Sequence, residues 1–286
     1  MMRSMFAGVS GMRSNQMMMD VVGDNIANVN TAGYKASRVV FQNTLSQLLR
    51  DGSAGNGVNA GSTNPAQVGL GVHITAVDTV QTQGAIQNTG RATDVAIQGA
   101  GAFVLLSGPE TVYSRAGSFS LDANNNLVDP TGALLQGWPA DNTGAIPSTA
   151  AGAITTLVVP PTDPNDATAL LRSFAIGNDG KLNAVYSNGT ALCVGQVAVA
   201  TFSNPAGLTA RGDGHFASGP ASGAPQYVIA GQSGSGALAA GALEMSNVDL
   251  ALEFTNMMIA QRAFQANSKI ISSSDDMLQE LVNLKR

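Results

Sequence analysis

Two segments at opposite ends of this chain carry apolar residues at intervals of seven, and this spacing constrains the fold more than any other feature. The N-terminal series is Met5, Met12, Met19 and Ile26, with Val9 between its first members. The C-terminal series is Leu250, Met257, Phe264, Ile271 and Leu278, with Phe254 near its start. Residues seven apart lie on one narrow stripe of an α-helix, which is the geometry of helices that pack lengthwise against other helices.

The flanking residues predict where these helices begin and end. We expect the N-terminal helix to span residues 3–29 and to stop before Gly33, which can supply a left-handed residue. We expect the C-terminal helix to start at a capping box, with Ser246 as the N-cap and Asp249 three residues later, and to run to about Leu284. A second amphipathic helix is predicted over residues 37–50, followed by a stop at Gly52. The apolar residues that would share its face are Val40, Phe41, Leu45, Leu48 and Leu49.

The middle of the chain has the pattern of short strands and turns. Residues 51–64 are almost entirely small or polar, which predicts a flexible linker. Strands are predicted over residues 72–80, 94–97, 102–106, 113–121 and 194–202. The pairs Asp179–Gly180 and Asn188–Gly189 stand between apolar runs, which is typical of hairpin turns.

These elements predict an α+β fold. A mainly β central domain of antiparallel strands, similar to a sandwich or a barrel, is flanked by terminal helices that form a coiled-coil-like assembly domain. The predicted boundaries are 1–34 and 244–286 for the helical domain, 35–70 for the second helix and linker, and 71–243 for the β-rich body. Within that body, residues 141–168 form a reduced insertion. A terminal helix behind a flexible linker is badly placed to complete a β core, which favours assembly with other copies.

Composition narrows the function classes. The apolar fraction of 44% is that of a globular protein, whereas charged residues reach only 12%, about half the usual share. Sparse charge suits a surface covered by other subunits, although a neutral polar surface explains it equally well. With a net charge of −5, the chain lacks the basic surface that is typical of a nucleic-acid-binding protein.

No apolar stretch approaches about 18 residues, so no membrane insertion is expected. The N-terminal segment fits an amphipathic helix better than a cleaved signal peptide.

The candidate chemical motifs are weak, and we assign no catalytic, cofactor-binding or metal-binding residue. His73 and His215 are far apart in sequence. Cys193, the single cysteine, has apolar neighbours that favour burial and an unreactive thiol. Residues 122–133 resemble a calcium loop but lack its glycine and its final glutamate, which favours a turn between strands. Gly99 and Gly101 precede a strand rather than a helix, so they predict a bulge or a close strand contact rather than a phosphate site.

Two longer motifs resemble a known family. Residues 20–35 (DVVGDNIANVNTAGYK) resemble the N-terminal signature of bacterial flagellar rod and hook proteins, and residues 241–268 resemble its C-terminal partner. The residues that carry the resemblance are Asn25, Asn28, Thr31, Gly33, Tyr34, Ser246, Asn247, Val248, Asp249, Gln261 and Arg262.

Motifs in the middle of the chain favour the hook branch of that family. Residues 87–97 resemble hook and distal-rod subunits alike, whereas residues 135–140 (LQGWPA) and 194–202 (VGQVAVATF) resemble the hook protein more closely. Larger hook proteins have a whole outer domain where this chain has residues 141–168. The resemblance therefore implies a short hook protein that polymerises into a bendable helical tube and transmits motor torque to the filament.

The resemblance also implies partners and a location. The partners are further copies of the chain, the distal rod, hook cap and hook–filament junction proteins, and the flagellar export apparatus. The implied location is the flagellar hook or basal body, reached by export through the flagellum's own channel.

Two other functions remain as alternatives to a hook subunit. A distal rod subunit is the first alternative. A β-rich hydrolase with helical appendages is a second alternative of a different class.

Overall fold

The helices predicted at the two chain ends are both present. In the computed structural model, which describes residues 2–52, 62–141, 144–146, 154–232 and 234–284, α1 spans Met2–Ala27 and α2 spans Leu250–Leu284. The predicted cap at Ser246 is wrong. Asp249 caps α2 instead, since its Oδ1 accepts the backbone N–H groups of Ala251 (2.9 Å) and Leu252 (3.3 Å). Aspartate and serine cap helices equally well, so sequence alone does not choose between them.

The chain divides into two compact units whose boundaries differ from the predicted ones. The terminal unit comprises residues 1–27, 37–80 and 248–286, and the central unit comprises residues 28–36 and 81–247. Residues 37–80 therefore belong with the helices, whereas the sequence divided them between a linker segment and the β body. Residues 28–34 and 244–247 belong to the central unit rather than to the helical domain.

Residues 37–50 form strands, so the amphipathic helix predicted there is wrong. The strands of the terminal unit are β1 (Ser37–Asn43), β2 (Ser46–Arg50), β3 (Ala66–Gly69) and β4 (Val72–Thr79). β1 pairs antiparallel with β4, and β2 with β3. A register shift at Val40/Phe41 and another at Leu48/Arg50 interrupt the alternation of side chains, which gave the apolar residues a helix-like spacing. The predicted linker joins β2 to β3, and its residues 53–61 lie outside the described residues.

The central unit is built of antiparallel strands, as predicted. Its strands are β5 (Ile86–Asn88), β6 (Val95–Gln98), β7 (Ala102–Ser107), β8 (Glu110–Ser114), β9 (Ser120–Leu121), β10 (Leu127–Val128), β11 (Leu134–Pro139), β12 (Thr155–Thr156), β13 (Thr162–Asp163), β14 (Asp166–Ile176), β15 (Lys181–Tyr186), β16 (Ala191–Thr201), β17 (Thr209–Gly212), β18 (His215–Ala217), β19 (Gln226–Ile229), β20 (Ala237–Ala240) and β21 (Ala242–Glu244). Within the described residues, thirteen of them form one sheet, while β5 pairs with β21 and β6 with β20.

The long strand β16 organises this sheet. It pairs with β15, β11, β7 and β19 along different parts of its length. Its inner residues are buried with side chains from β6, β7 and β11 in the main core, where Phe103 and Phe119 meet edge to face with ring centroids 5.3 Å apart. Trp138 is buried in a second cluster of the same unit. The continuous apolar run in β16 is therefore typical of a strand with protein on both faces.

Several turn predictions are confirmed. The hairpin turns at Asp179–Gly180 and Asn188–Gly189 connect β14 to β15 and β15 to β16. The loop that resembles a calcium site is a tight turn between β9 and β10, with Asn125 at a positive φ of 61°. At Gly101 a Cβ atom would lie 2.4 Å from Val199 Cγ1, so this glycine marks the close strand contact that was expected. In the insertion at 141–168, β12 pairs with β11, while residues 142–143 and 147–153 lie outside the described residues.

Candidate assembly interface

α1 and α2 pack against each other in an antiparallel pair within one chain. Ser4 Oγ lies 3.5 Å from Ser274 Oγ, and a Cβ atom on Gly11 would lie 2.6 Å from Asn267 Nδ2. A Cβ atom on Gly8 would lie 3.4 Å from Ile271 Cγ1. Positions that increase along α1 therefore meet positions that decrease along α2.

The seam between these helices is lined on α1 by the small residues Ser4, Gly8 and Gly11, which lie against Ser274, Ile271 and Asn267 of α2. The buried residues of α1 are Gly8, Gly11, Ser14, Val22 and Asn25, and those of α2 are Glu253, Ala260 and Ser274. Small side chains let the two backbones approach closely. Most large apolar side chains of both helices therefore remain half-buried or exposed after the two helices have paired.

The predicted apolar stripes flank this seam. Eight of their residues are half-buried: Met5, Met12, Met19, Ile26, Met257, Phe264, Ile271 and Leu278. Val9, Leu250 and Phe254 are exposed. Their role in contacts with other copies stays a prediction.

Exposed large apolar side chains are concentrated in the terminal unit. Among the described residues, all of them except Val158 and Leu170 belong to it. Those on the helices are Phe6, Val9, Met17, Leu250, Leu252, Phe254, Met258, Ile259, Ile270, Met277, Leu281, Val282 and Leu284. Those on and beside its strands are Phe41, Leu45, Leu48, Leu49, Val68, Leu70 and Val77. A concentration of exposed apolar side chains on this scale is typical of an interaction surface rather than of a surface that stays in water.

Most of the family-signature residues form turns and caps. Asn25 is buried, and its side chain exchanges two hydrogen bonds of 2.8 Å with the backbone of Ser37 at the start of β1. Asn28 Oδ1 accepts the Thr31 hydroxyl at 3.1 Å. Asn247 Oδ1 accepts the backbone N–H of Ala36 at 2.7 Å. These contacts hold the ends of segments in place.

The remaining signature residues are divided between burial and exposure. Gly33 is buried, whereas Tyr34, Ser246 and Val248 are half-buried. Gln261 and Arg262 are exposed on α2. The signature therefore specifies chain path over most of its length and a polar helix surface at its end.

A buried ionic cluster in the central unit was not predicted from the sequence. The carboxylate of Glu244 accepts hydrogen bonds from Lys35 Nζ at 2.5 Å and Arg115 Nη1 at 3.1 Å. The Glu244 and Lys35 side chains are 0% and 1% exposed. Burial lowers the pKa of the Lys35 ammonium, and the Glu244 carboxylate opposes that shift. Lys35 lies in the motif at residues 20–35 and Glu244 in the motif at residues 241–268, but no local pattern links positions so far apart.

The isolated candidates for chemistry have ordinary structural surroundings. His215 is buried, with Nε2 3.0 Å from Asp129 Oδ2. His73 is exposed on β4. Cys193 is half-buried, and burial raises the pKa of its thiol, which disfavours the reactive thiolate. In the part of the chain that the structure describes, no helix combines the length and the hydropathy needed to cross a bilayer.

Three family profiles match this chain, one after another along its length. The profile described as "Flagella basal body rod protein" matches residues 5–35, and "Flagellar hook protein FlgE/F/G D1 domain" matches residues 96–184. The profile described as "Flagellar basal body rod FlgEFG protein C-terminal" matches residues 239–284.

Whole-length relatives agree with these profiles. The flagellar basal-body rod protein FlgG of Bacillus subtilis (strain 168) is 45% identical over 290 residues, which covers 100% of both chains. FlgG of Agrobacterium fabrum is 36% identical over 279 residues, covering 96% of this chain and 97% of the relative. The flagellar hook protein FlgE of Borreliella burgdorferi is 29% identical over 442 residues, with 100% of both chains covered. This chain belongs to the family of bacterial flagellar rod and hook proteins, which are structural components of the basal body and hook rather than enzymes.

Proposed function

We propose that this protein is a rod subunit of the distal type, whose copies polymerise through the terminal unit into a helical tube. The observation that carries the polymerisation is the concentration of exposed large apolar side chains in that unit. Contacts between different surfaces of identical subunits generate an open helical array when the rotation does not close. Burial of these side chains against neighbouring copies supplies the driving force, since each large apolar side chain contributes about 1.5–3 kcal/mol when fully buried.

Identity and length favour the rod over the hook, which reverses the order of the sequence-based hypotheses. The alignment with the Bacillus subtilis rod protein spans 290 residues against 286 in this chain. The alignment with the Borreliella burgdorferi hook protein spans 442 residues at lower identity. A hook subunit is the second candidate, because residues 135–140 and 194–202 resemble hook sequences. Neighbouring axial proteins and the flagellar export apparatus are the proposed partners in either role.

The apolar stripes of α1 and α2 belong to the proposed interface as flanking residues. They lie beside a small-residue seam, and within one chain each of their residues is half-buried or exposed. A neighbouring helix that covered them would complete a coiled-coil-like layer, because each stripe then has helices on both sides.

A matched pair of serine variants tests the polymerisation. Ile259 is 56% exposed in the terminal unit, and Leu170 is 62% exposed in the central unit. Ile259→Ser should raise the concentration needed for assembly by about tenfold, because the lost burial is worth about 1.5 kcal/mol or more. Leu170→Ser should leave it unchanged. Sedimentation of the purified full-length chain over a concentration series measures both, and equal behaviour of the two variants would contradict the proposed interface.

Labelling in cells separates the two candidate roles. A small epitope tag inserted in an exposed turn of the central unit, such as the one at Asn188–Gly189, can be located by immunogold electron microscopy of isolated basal bodies. A rod subunit should be labelled in the straight segment. Label confined to the curved segment would establish the hook role instead.

A further inference from the structure

We propose that two ion pairs between adjacent copies set the register of the tube: Arg13 with Asp276, and Asp20 with Lys269 of the neighbouring copy. This inference rests on the proposed function, because it concerns contacts between polymerised copies. It specifies which face of α1 meets which face of α2, and the alignment of the two helices.

All four side chains lie on exposed positions of the helices. Arg13 and Asp20 are seven residues apart on α1, and Lys269 and Asp276 are seven residues apart on α2. Seven residues are about two helical turns, so each pair shares one face with a separation of about 10 Å. Among the described residues, none of the four side chains takes part in an ion pair within the chain.

The four charged residues point away from the intramolecular seam. Arg13 lies two positions after Gly11, and Asp20 lies two positions before Val22, both of which are buried. Lys269 and Asp276 each lie two positions after a seam residue of α2, Asn267 and Ser274. Two positions correspond to about 200° around a helix. The charged faces of α1 and α2 therefore lie on opposite outer sides of the helix pair and do not meet within one chain.

The order of the charged residues along each helix favours one relative orientation of the two charged faces. Along both helices the cation comes first and the anion seven residues later. Aligned in parallel, the two faces place like charges opposite each other. Aligned antiparallel, Arg13 faces Asp276 while Asp20 faces Lys269, and the equal spacing satisfies both pairs together.

Helical symmetry requires the same antiparallel alignment. All copies in a polar tube point the same way, so α1 of one copy runs opposite to α2 of its neighbours, as it does to its own α2. In this contact the charged face of α1 in one copy meets the charged face of α2 in the next. The first copy still has its α2 face free and the second its α1 face, so further copies can add at both ends of the array. Complementary charges fix register and suppress wrong alignments, as they do in coiled coils.

Charge reversal with rescue tests this register. Lys269→Asp should raise the concentration needed for assembly about five- to tenfold, because one exposed attraction becomes a repulsion. The double variant Asp20→Lys with Lys269→Asp should restore assembly to within about twofold of the original chain. The mispaired double variant Lys269→Asp with Asp276→Lys has the same net charge as the matched one, but it leaves like charges in both pairs, so assembly should not recover. Arg172→Asp, which makes the same charge change at an exposed position of the central unit, should have no effect.

The possible results separate failure of the proposed register from failure of the proposed polymerisation. Sedimentation of the full-length chains measures assembly, and far-ultraviolet circular dichroism verifies that every variant retains its helices. Assembly of the original chain without better rescue by the matched pair than by the mispaired pair would overturn the register and leave the proposed function intact. Failure of the original chain to assemble at any concentration would overturn both.

Discussion

Gly33 shows how one backbone position can determine the path of the chain. Its φ is +72°, and a Cβ atom would lie 2.5 Å from the backbone nitrogen of Ala116. Gly90 has nearly the same φ of +70°, but a Cβ atom there would meet nothing within 4 Å. The two glycines therefore separate the cost of a left-handed conformation from the cost of a steric clash.

We expect Gly33→Ala to lower the free energy of unfolding of the central unit by about 3 kcal/mol or more, since strain and clash add. Gly90→Ala should cost about 1 kcal/mol, from the conformation alone. Urea unfolding followed by the fluorescence of Trp138, the single tryptophan and a buried residue of this unit, measures both. Equal losses would show that the backbone near Ala116 relaxes around the new methyl group.

The buried cluster around Glu244 also acts at the scale of single side chains. Glu244→Gln keeps the shape of the side chain but leaves Lys35 and Arg115 buried without their anion. We expect a loss of about 3–5 kcal/mol in the free energy of unfolding, the usual cost of removing one partner from a buried ion pair. The same Trp138 assay measures the loss. The double variant Lys35→Met with Glu244→Gln should recover part of it, and a loss near zero in the single variant would contradict this account.

At the scale of elements, the pair of terminal helices combines a tight small-residue seam with large apolar flanks. Glycines at positions 8 and 11 let α1 approach α2, and the flanking residues Phe264 and Ile271 are left half-buried. A charge on those flanks would have to be buried without a partner when another copy packs there, at a cost of several kcal/mol.

Phe264→Asp or Ile271→Asp should therefore block polymerisation and leave the central unit folded. Sedimentation measures the first effect, and unchanged Trp138 fluorescence verifies the second. Leu170→Asp introduces the same charge at an exposed apolar residue of the central unit and should assemble normally. Normal polymers from Phe264→Asp and Ile271→Asp would contradict the placement of the C-terminal stripe in the interface.

At the scale of the whole molecule, apolar surface is distributed unevenly between the two units. The central unit buries its large apolar side chains in a multistranded core, and the terminal unit exposes many of its own. A free subunit should consequently bind a dye that fluoresces on exposed apolar surface, and assembly should release most of the dye as these side chains become buried.

We expect the dye fluorescence per chain to fall at least severalfold between dilute and assembled samples. Fluorescence recorded alongside sedimentation measures the change. Leu170→Ser, in the central unit, should leave both values unchanged. Constant dye fluorescence through assembly would mean that the copies join through some other surface.

Local patterns in the chain specified its ends, many of its turns and its family. The seven-residue apolar spacing located both helices, because helical periodicity is a property of neighbouring residues. The pairs Asp179–Gly180 and Asn188–Gly189 located two hairpins for the same reason. The motif at residues 20–35 identifies the family by its local sequence alone.

Non-local contacts decided the rest. Residues 37–50 became strands because β3 and β4 supply backbone hydrogen bonds, and two register shifts disguise their alternation. The seam formed on Gly8 and Gly11 rather than at the centre of the apolar stripe. Small residues favour packing only where a second helix faces them, because they let the two backbones approach closely. Glu244 joined Lys35 and Arg115 across many intervening residues. Each of these features depends on which distant segments meet, and that information becomes explicit only when the chain is folded.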